Sequence, residues 1–238
     1  MTDMIRALWA PLAPTPLLWL TVTLAAWLAG RGVQAACGQS PLANPVLIAI
    51  ALVATLLVVT GTPYPTYFAG AQFIHFLLGP TTVALAVPLA GNLHHVRRCL
   101  HGAGLAILAG SLTSVVSGVA VVWLLGGSRD VALSMAPKAA TTPIAMAVAQ
   151  QVGGIPSLTA AIAIAGGITA AVTVQLVLGK MRIMDWRAHG LAAGVAGSGI
   201  AAAQVAPLHG LAAAFAALGI GLNALVTAVL VPLLARLM

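Results

Sequence analysis

The segment Pro137-Lys138-Ala139-Ala140-Thr141-Thr142-Pro143 sets one cation, two hydroxyls and two prolines inside a chain that is 61% hydrophobic and 5% charged. An ammonium and paired hydroxyls are hydrogen-bond donors, and donors gathered in an apolar setting suit an anion. Proline lacks an N–H and disfavours helix in the residue before it. The spacing therefore predicts unwinding over 137–142 and a helix restarting at Pro143. That restart would aim free N–H groups and a positive dipole end at whatever lies beside Thr141 and Thr142. In lipid, irregular backbone persists only where protein buries it or where it lines a wet cavity, so the break reads as a binding site. A charged Lys138 at the bilayer centre costs about 2.5–3.5 kcal/mol on insertion scales, which a bound anion would offset. The plainer readings are a lysine that snorkels to a membrane face and threonines that only cap a helix.

The same device recurs upstream. Gly79-Pro80-Thr81-Thr82-Val83-Ala84-Leu85-Ala86-Val87 reads like Ala140-Thr141-Thr142-Pro143-Ile144-Ala145-Met146-Ala147-Val148, with one residue inserted after the second threonine pair. Two interrupted segments at matching places in two halves point to a transporter built from an inverted repeat, with solute held near the midplane. The candidate solute ligands are Lys138, Thr141, Thr142 and Pro143 with Pro80, Thr81 and Thr82. His75 and His209 are candidates for a coupling proton, against the plainer reading of loop or interface histidines.

Those residues need a scaffold, and composition dictates its solvent. A soluble domain carries about 25% charged residues, so a chain with 5% must use lipid. No charged residue occurs between Arg31 and Arg97 or between Arg187 and Arg236, which leaves room for several spans of about 20 residues. The expected fold is an all-α integral membrane protein of seven to eight membrane segments, including broken or re-entrant helices. It reads as a single transmembrane domain over 1–238, with repeat halves at 1–126 and 127–238.

Along the chain, helix is expected over 16–30, ending at Arg31-Gly32, and over 46–60 with Asn44 as N-cap. A turn and an interfacial or re-entrant helix follow over 63–78, then a half-helix over 80–92. The cluster His94, His95, Arg97, Arg98 and His101 reads as a cytoplasmic loop. Further spans are expected over 102–125, 157–178 and 211–237, the last with Asn223 inside it. Lys180, Arg182 and Arg187 form a second basic loop. If both basic loops face the cytoplasm, residues 130–150 should enter and return, or the number of crossings differs by one elsewhere. Gly190 to Ala206 is rich in Gly, Ala and Ser, and reads either as a tightly packed helix or as a third broken element. The prolines at 11, 14 and 16 argue against a cleaved leader.

Composition also excludes functions. The chain has three acids and no Glu, so a carboxylate-based relay has almost nothing to work with. Its net charge of +7 is spread through short loops, which fits loop bias and argues against nucleic-acid binding. Cys37 and Cys99 form no disulfide framework, and no metal, cofactor or enzyme motif stands out.

The run Ala139-Ala140-Thr141-Thr142-Pro143-Ile144-Ala145-Met146-Ala147-Val148, followed by Gly153-Gly154-Ile155-Pro156, resembles the bacterial LrgB/CidB family. Asn44-Pro45, Leu78-Gly79-Pro80, Val83 through Leu89 and Gly190-Leu191-Ala192 are similar to family segments in the same order. The resemblance spans about residues 16–237. It implies a multi-pass protein of the bacterial inner membrane, described either as a holin- or antiholin-like regulator of murein hydrolase export and autolysis or as a transporter. The transporter reading comes from similarity to the C-terminal half of the plant plastidal glycolate/glycerate transporter, and from relatives implicated in pyruvate uptake. A small LrgA/CidA-like membrane subunit is the implied partner. One departure concerns the family pattern Thr-Ala-Ser-His…Gly-Thr-Ala-Arg, whose histidine falls on Ser198 or Gly199 here and whose arginine falls on Gln204. Ser198 and Gln204 therefore join the candidate solute ligands.

Two functions compete. The first is alternating-access transport of a small monocarboxylate such as glycolate, glycerate or pyruvate, in a protein expected to be a homodimer. The second is the holin- or antiholin-like regulator, acting by assembly without a solute site.

Overall fold

A computed structural model describes residues 15–38, 40, 43–77, 80, 83–84 and 86–236. Among them lie ten helices: α1 (Pro16–Ala36), α2 (Pro45–Thr60), α3 (Tyr64–Phe76), α4 (Ala86–Gly91), α5 (Leu93–Leu124), α6 (Arg129–Met135), α7 (Thr142–Val152), α8 (Pro156–Lys180), α9 (Trp186–Val205) and α10 (Gly210–Ala235). Helices α1, α5, α8 and α10 are long and apolar enough to cross a bilayer. The chain is an all-α, multi-pass membrane protein. It divides into compact units of residues 1–84 and 85–238.

In the first unit, α1 packs on α2 and α3. Trp19 is fully buried and meets Tyr67 edge-on at 5.9 Å, while the Thr23 hydroxyl donates to the Tyr67 oxygen at 3.3 Å. Asn44 caps α2, its side-chain oxygen accepting from the Val46 and Leu47 amides at 2.9 and 3.3 Å. Helix α1 continues past Arg31-Gly32 to Ala36, contrary to the sequence reading. A single Arg-Gly pair does not end a helix whose next turn still buries a side chain, here Gln34.

In the second unit α5 has 32 residues, about 48 Å at 1.5 Å per residue, and so outruns an apolar layer about 30 Å thick. The basic cluster at 94–101, expected as a loop, forms the first turns of this helix. Its charges stay exposed while Val96 and Cys99 pack against Ala214, Phe215 and Leu218 of α10. Helices α8, α9 and α10 stack side by side.

Two chain reversals organise this unit. A straight α9 of 20 residues would put its ends about 30 Å apart. Trp186 at its start nevertheless stacks on His209, just past its end, with ring centroids 5.8 Å apart and planes within 6°. The turn lies at Ser198, whose φ of 49° and ψ of −139° leave helical geometry. The incoming arm lies backbone to backbone on α10, because a Cβ at Gly190 would strike the Ala212 carbonyl and one at Gly194 the Ala216 carbonyl. The other reversal joins α6 to α7 through residues 136–141. The Ile155 amide, beyond the end of α7, donates at 2.7 Å to the hydroxyl of Ser134 in the last turn of α6, so the chain after α7 comes back alongside that turn.

The reversals start from opposite ends. Arg129 of α6 donates to the Ala235 carbonyl at the end of α10 (3.3 Å), whereas α9 starts beside Cys99 near the beginning of α5.

Candidate functional site

The prolines place the first break where it is observed. Residues 136–141 are non-helical, Thr141 has an extended ψ of 141°, and α7 restarts with Pro143 in its first turn. Lys138 sits at the tip of this reversal. Its Nζ donates to the Ser114 carbonyl at 2.6 Å and to the Ser114 hydroxyl at 3.0 Å. Its stem crosses α5 at Gly118, where an added Cβ would come within 2.9 Å of Nζ. Ser114 is ten residues from the end of α5, about 15 Å, which is half the thickness of a bilayer core. Lys138 therefore meets α5 well inside its apolar run. Among the described residues the one ion pair is Arg187–Asp185, so no acidic side chain neutralises Lys138.

Asn223 ties the two breaks together. It lies near the middle of α10, 1% exposed, and its amide nitrogen donates to the Ala139 carbonyl (2.9 Å) and to the Val195 carbonyl (3.3 Å). Its oxygen accepts from Ser111 of α5 at 2.5 Å. Ala139 belongs to the first tip. Val195 precedes Ser198, where lost helix geometry deprives carbonyls of the preceding turn of their usual amide partners. One buried side chain thus satisfies backbone groups freed by both reversals, as buried polar groups require.

A second polar knot ties the last turn of α6 to the start of α8. The fully buried Ser134 hydroxyl donates to the Asp130 carbonyl at 2.6 Å while accepting from Ile155, and Thr159 donates to the Ser134 carbonyl at 3.0 Å. Gly154 is pressed so close that a Cβ would lie 2.9 Å from the Ser134 nitrogen.

Of the residues expected at the site, Lys138, Thr141, Thr142 and Pro143 share the first tip. Thr141 and Thr142 are half-buried, and among the described residues their hydroxyls have no hydrogen-bond partner, so Thr141 does not cap α7 through its side chain. Ser198 is half-buried at the second tip, close to the shared Asn223. Gln204 lies six residues further, about 9 Å along the returning arm and away from the tip. Thr81 and Thr82 lie outside the described residues, and Pro80 is exposed. His75 is exposed beside Phe68, and its unit is separate from the one that carries the tips. His209 is exposed and caps α10, its Nδ1 accepting from the Leu211 amide at 3.1 Å. The partners of these two histidines are Phe68 for His75, and Trp186 and the Leu211 amide for His209, none of them at either tip. No group of three His, Cys, Asp or Glu side chains gathers among the described residues.

Sequence reasoning noted Asn223 but gave it no role, and passed over Ser111 and Ser114. The available signal was an amide in the middle of an apolar span, and serines spaced three apart on another.

The model of the LrgB-like family matches residues 23–237. The chain belongs to the LrgB family. The antiholin-like protein LrgB of Bacillus mycoides is 30% identical over 219 residues, covering 92% of this chain and 95% of the relative. The holin-like protein CidB of Staphylococcus epidermidis is 28% identical over 196 residues, covering 82% of this chain and 86% of its own length. No solved structure matches the chain. The matched region of this LrgB-family protein includes both reversals and Asn223.

Proposed function

We propose that this LrgB-family chain is a holin- or antiholin-like protein of the bacterial cytoplasmic membrane that regulates murein hydrolase export, working with an LrgA/CidA-like subunit. The support is the names borne by relatives that align over nearly its whole length.

The geometry favours a second reading: alternating-access transport of a small monocarboxylate. One observation carries it, the meeting of two chain reversals at Asn223 beside a lysine without an acidic partner at bilayer depth. A lysine held only by neutral oxygens keeps a positive field available to an anion, and the free hydroxyls of Thr141 and Thr142 with the N-terminus of α7 add donors. In this reading α1, α2, α5, α8 and α10 cross the membrane. The two reversals enter from opposite sides, giving seven segments, with the α3–α4 region interfacial. In place of repeat halves at 1–126 and 127–238, the pairs formed by α6–α7 with α8 and by α9 with α10 suggest an inverted arrangement within residues 127–238, and a homodimer is the proposed assembly. A pore would more naturally show intact amphipathic spans around a lumen.

Proteoliposomes holding this chain alone separate the readings. Saturable uptake of labelled glycolate, glycerate or pyruvate that falls at least about tenfold in Lys138→Ala, the loss expected for one charge-assisted contact, supports transport. Thr142→Val should weaken uptake less. Flux equal in wild type and both variants removes the solute site. Absence of flux together with altered autolysis on deletion leaves the regulator.

A further inference from the structure

A separate feature lies at the other end of the same unit. A cleft of about 410 Å³ opens between the first turns of α5 and α9, over α10. Arg98 and Cys99 of α5 and Arg187 of α9 form its rim, beside Asp185, and Leu191 and Phe215 give it an apolar floor. The space above Gly102 is open, with no heavy atom within 4 Å of where a Cβ would stand.

We propose that this cleft binds a phosphate group, carried by the headgroup of an anionic phospholipid. The guanidiniums differ in commitment. Arg187 is held by Asp185, its Nε donating to both carboxylate oxygens at 3.0 and 2.9 Å and its Nη2 to Oδ2 at 2.6 Å. This fixes its plane and turns Nη1 towards Cys99 Sγ at 3.3 Å, on the cleft wall. Asp185 is itself tied by the Arg187 amide as the N-cap of α9, so the pair is a rigid, nearly neutral bracket. Arg98 is exposed and has no acidic partner among the described residues, and it supplies the net charge. The free guanidinium fork of Arg98, beside the remaining Nη1 of Arg187 and above an apolar floor, matches a phosphodiester with acyl chains below it better than a freely hydrated anion.

Position favours the lipid source. Arg98 and Arg187 share this end with His94, His95, Arg97, His101, Lys180 and Arg182, a density that the positive-inside bias assigns to the cytoplasmic face, where anionic lipid concentrates. The cleft begins where α5 passes from its charged turns into the apolar span at Gly102 and Ala103, the level at which headgroup gives way to chain. Because Arg187 stands in the first turn of α9, an occupant touches the root of the arm that carries Ser198. The proposal is independent of what that arm does.

Native mass spectrometry of the full-length protein, titrated with phosphatidylglycerol and with phosphatidylcholine, tests the site. Phosphatidylglycerol should be retained by wild type and by Arg97→Gln, which alters an exposed arginine outside the cleft. Retention should fall about tenfold in Arg98→Gln, as loss of one charge-assisted contact predicts. Arg98 is exposed, so its variant should fold, and an unchanged melting temperature without lipid verifies this. A parallel thermal-shift series with millimolar inorganic phosphate separates the sources. Stabilisation by phosphatidylglycerol but not by phosphate supports the headgroup, and stabilisation by phosphate that Arg98→Gln abolishes supports the site with a soluble ligand. Equal retention of both lipids, or loss in Arg97→Gln matching that in Arg98→Gln, overturns the proposal.

Discussion

The two reversals do the same topological work with different materials. The one between α6 and α7 is punctuated by Pro137 and Pro143, carries a charge at its tip and is tied to the start of α8 through Ser134 and Thr159. The one inside α9 has no proline and no charge at its tip. It turns at a serine between two glycines and is held by glycine contacts along α10 and by ring stacking at its root. A hairpin fixed by buried hydrogen bonds resists local opening, because each bond broken in lipid strands polar groups. A hairpin held mainly by close packing of small residues has fewer such bonds to lose, here the one from Asn223 to the Val195 carbonyl. The first reversal is therefore expected to be the rigid one and the second the mobile one.

Asn223 is common to both, and replacing it should give the largest effect. Asn223→Leu strands the Ser111 hydroxyl and the Ala139 and Val195 carbonyls, each at about 1–3 kcal/mol. Thermal unfolding in detergent should show the steepest loss of any single substitution, and an unchanged melting temperature would separate the two reversals energetically. Next in size is Gly194→Val, which drives a side chain into the Ala216 carbonyl and should cost about 1–3 kcal/mol by overpacking. Its signature is local. Thiol labelling of a cysteine placed at Ser198 should accelerate, while one placed at Thr142 keeps its rate. Equal acceleration at both tips would mean that the hairpins move as one body.

A smaller effect of opposite sign is expected from Ser198→Gly. The observed φ of 49° with ψ of −139° is a conformation glycine adopts freely, and its cost to other residues is about 1–3 kcal/mol. The variant should be more stable, by about 1 kcal/mol, and a loss of stability would show that the hydroxyl matters more than the strain. The smallest effect concerns the root of α9. The hydrogen bond from the Arg187 side chain holds the Asp185 carboxyl below the usual carboxylate range, against the opposing effect of burial. A depressed folded value makes this contribution complete above the unfolded value near pH 4 and lost as pH falls through the folded one. Stability of wild type and Asp185→Asn should therefore converge below about pH 4, with a slight wild-type advantage at neutral pH.

These elements also show how far the sequence could be read. Pro143 and Asn44 act through their own backbone and the few residues beside them, so the helix starts they mark were legible. The ends of α1 and α5 were not, because Arg31-Gly32 and the basic cluster at 94–101 look like loop signals. Each is overridden by a buried neighbour, Gln34 in one helix and Val96 in the other. The glycine-rich stretch at 190–206 left a packed helix and a broken one equally open, and the answer depended on α10, some twenty residues further along. At the candidate site, the lysine and threonines were legible because charge and hydroxyls are rare in this chain. Their partners were not, since Ser111, Ser114 and Asn223 are brought to the tips by two other helices.

Composition alone settled that lipid is the solvent, because a chain with 5% charged residues has too little polar surface for water. Sequence alone also fixed the break before Pro143, because a missing N–H and a locked φ are covalent properties. Tertiary structure decided that α9 doubles back at Ser198 and that one asparagine joins both tips. Those outcomes depend on how closely α9 approaches α10 and on which freed carbonyls come within reach of Asn223, and no local preference carries either distance.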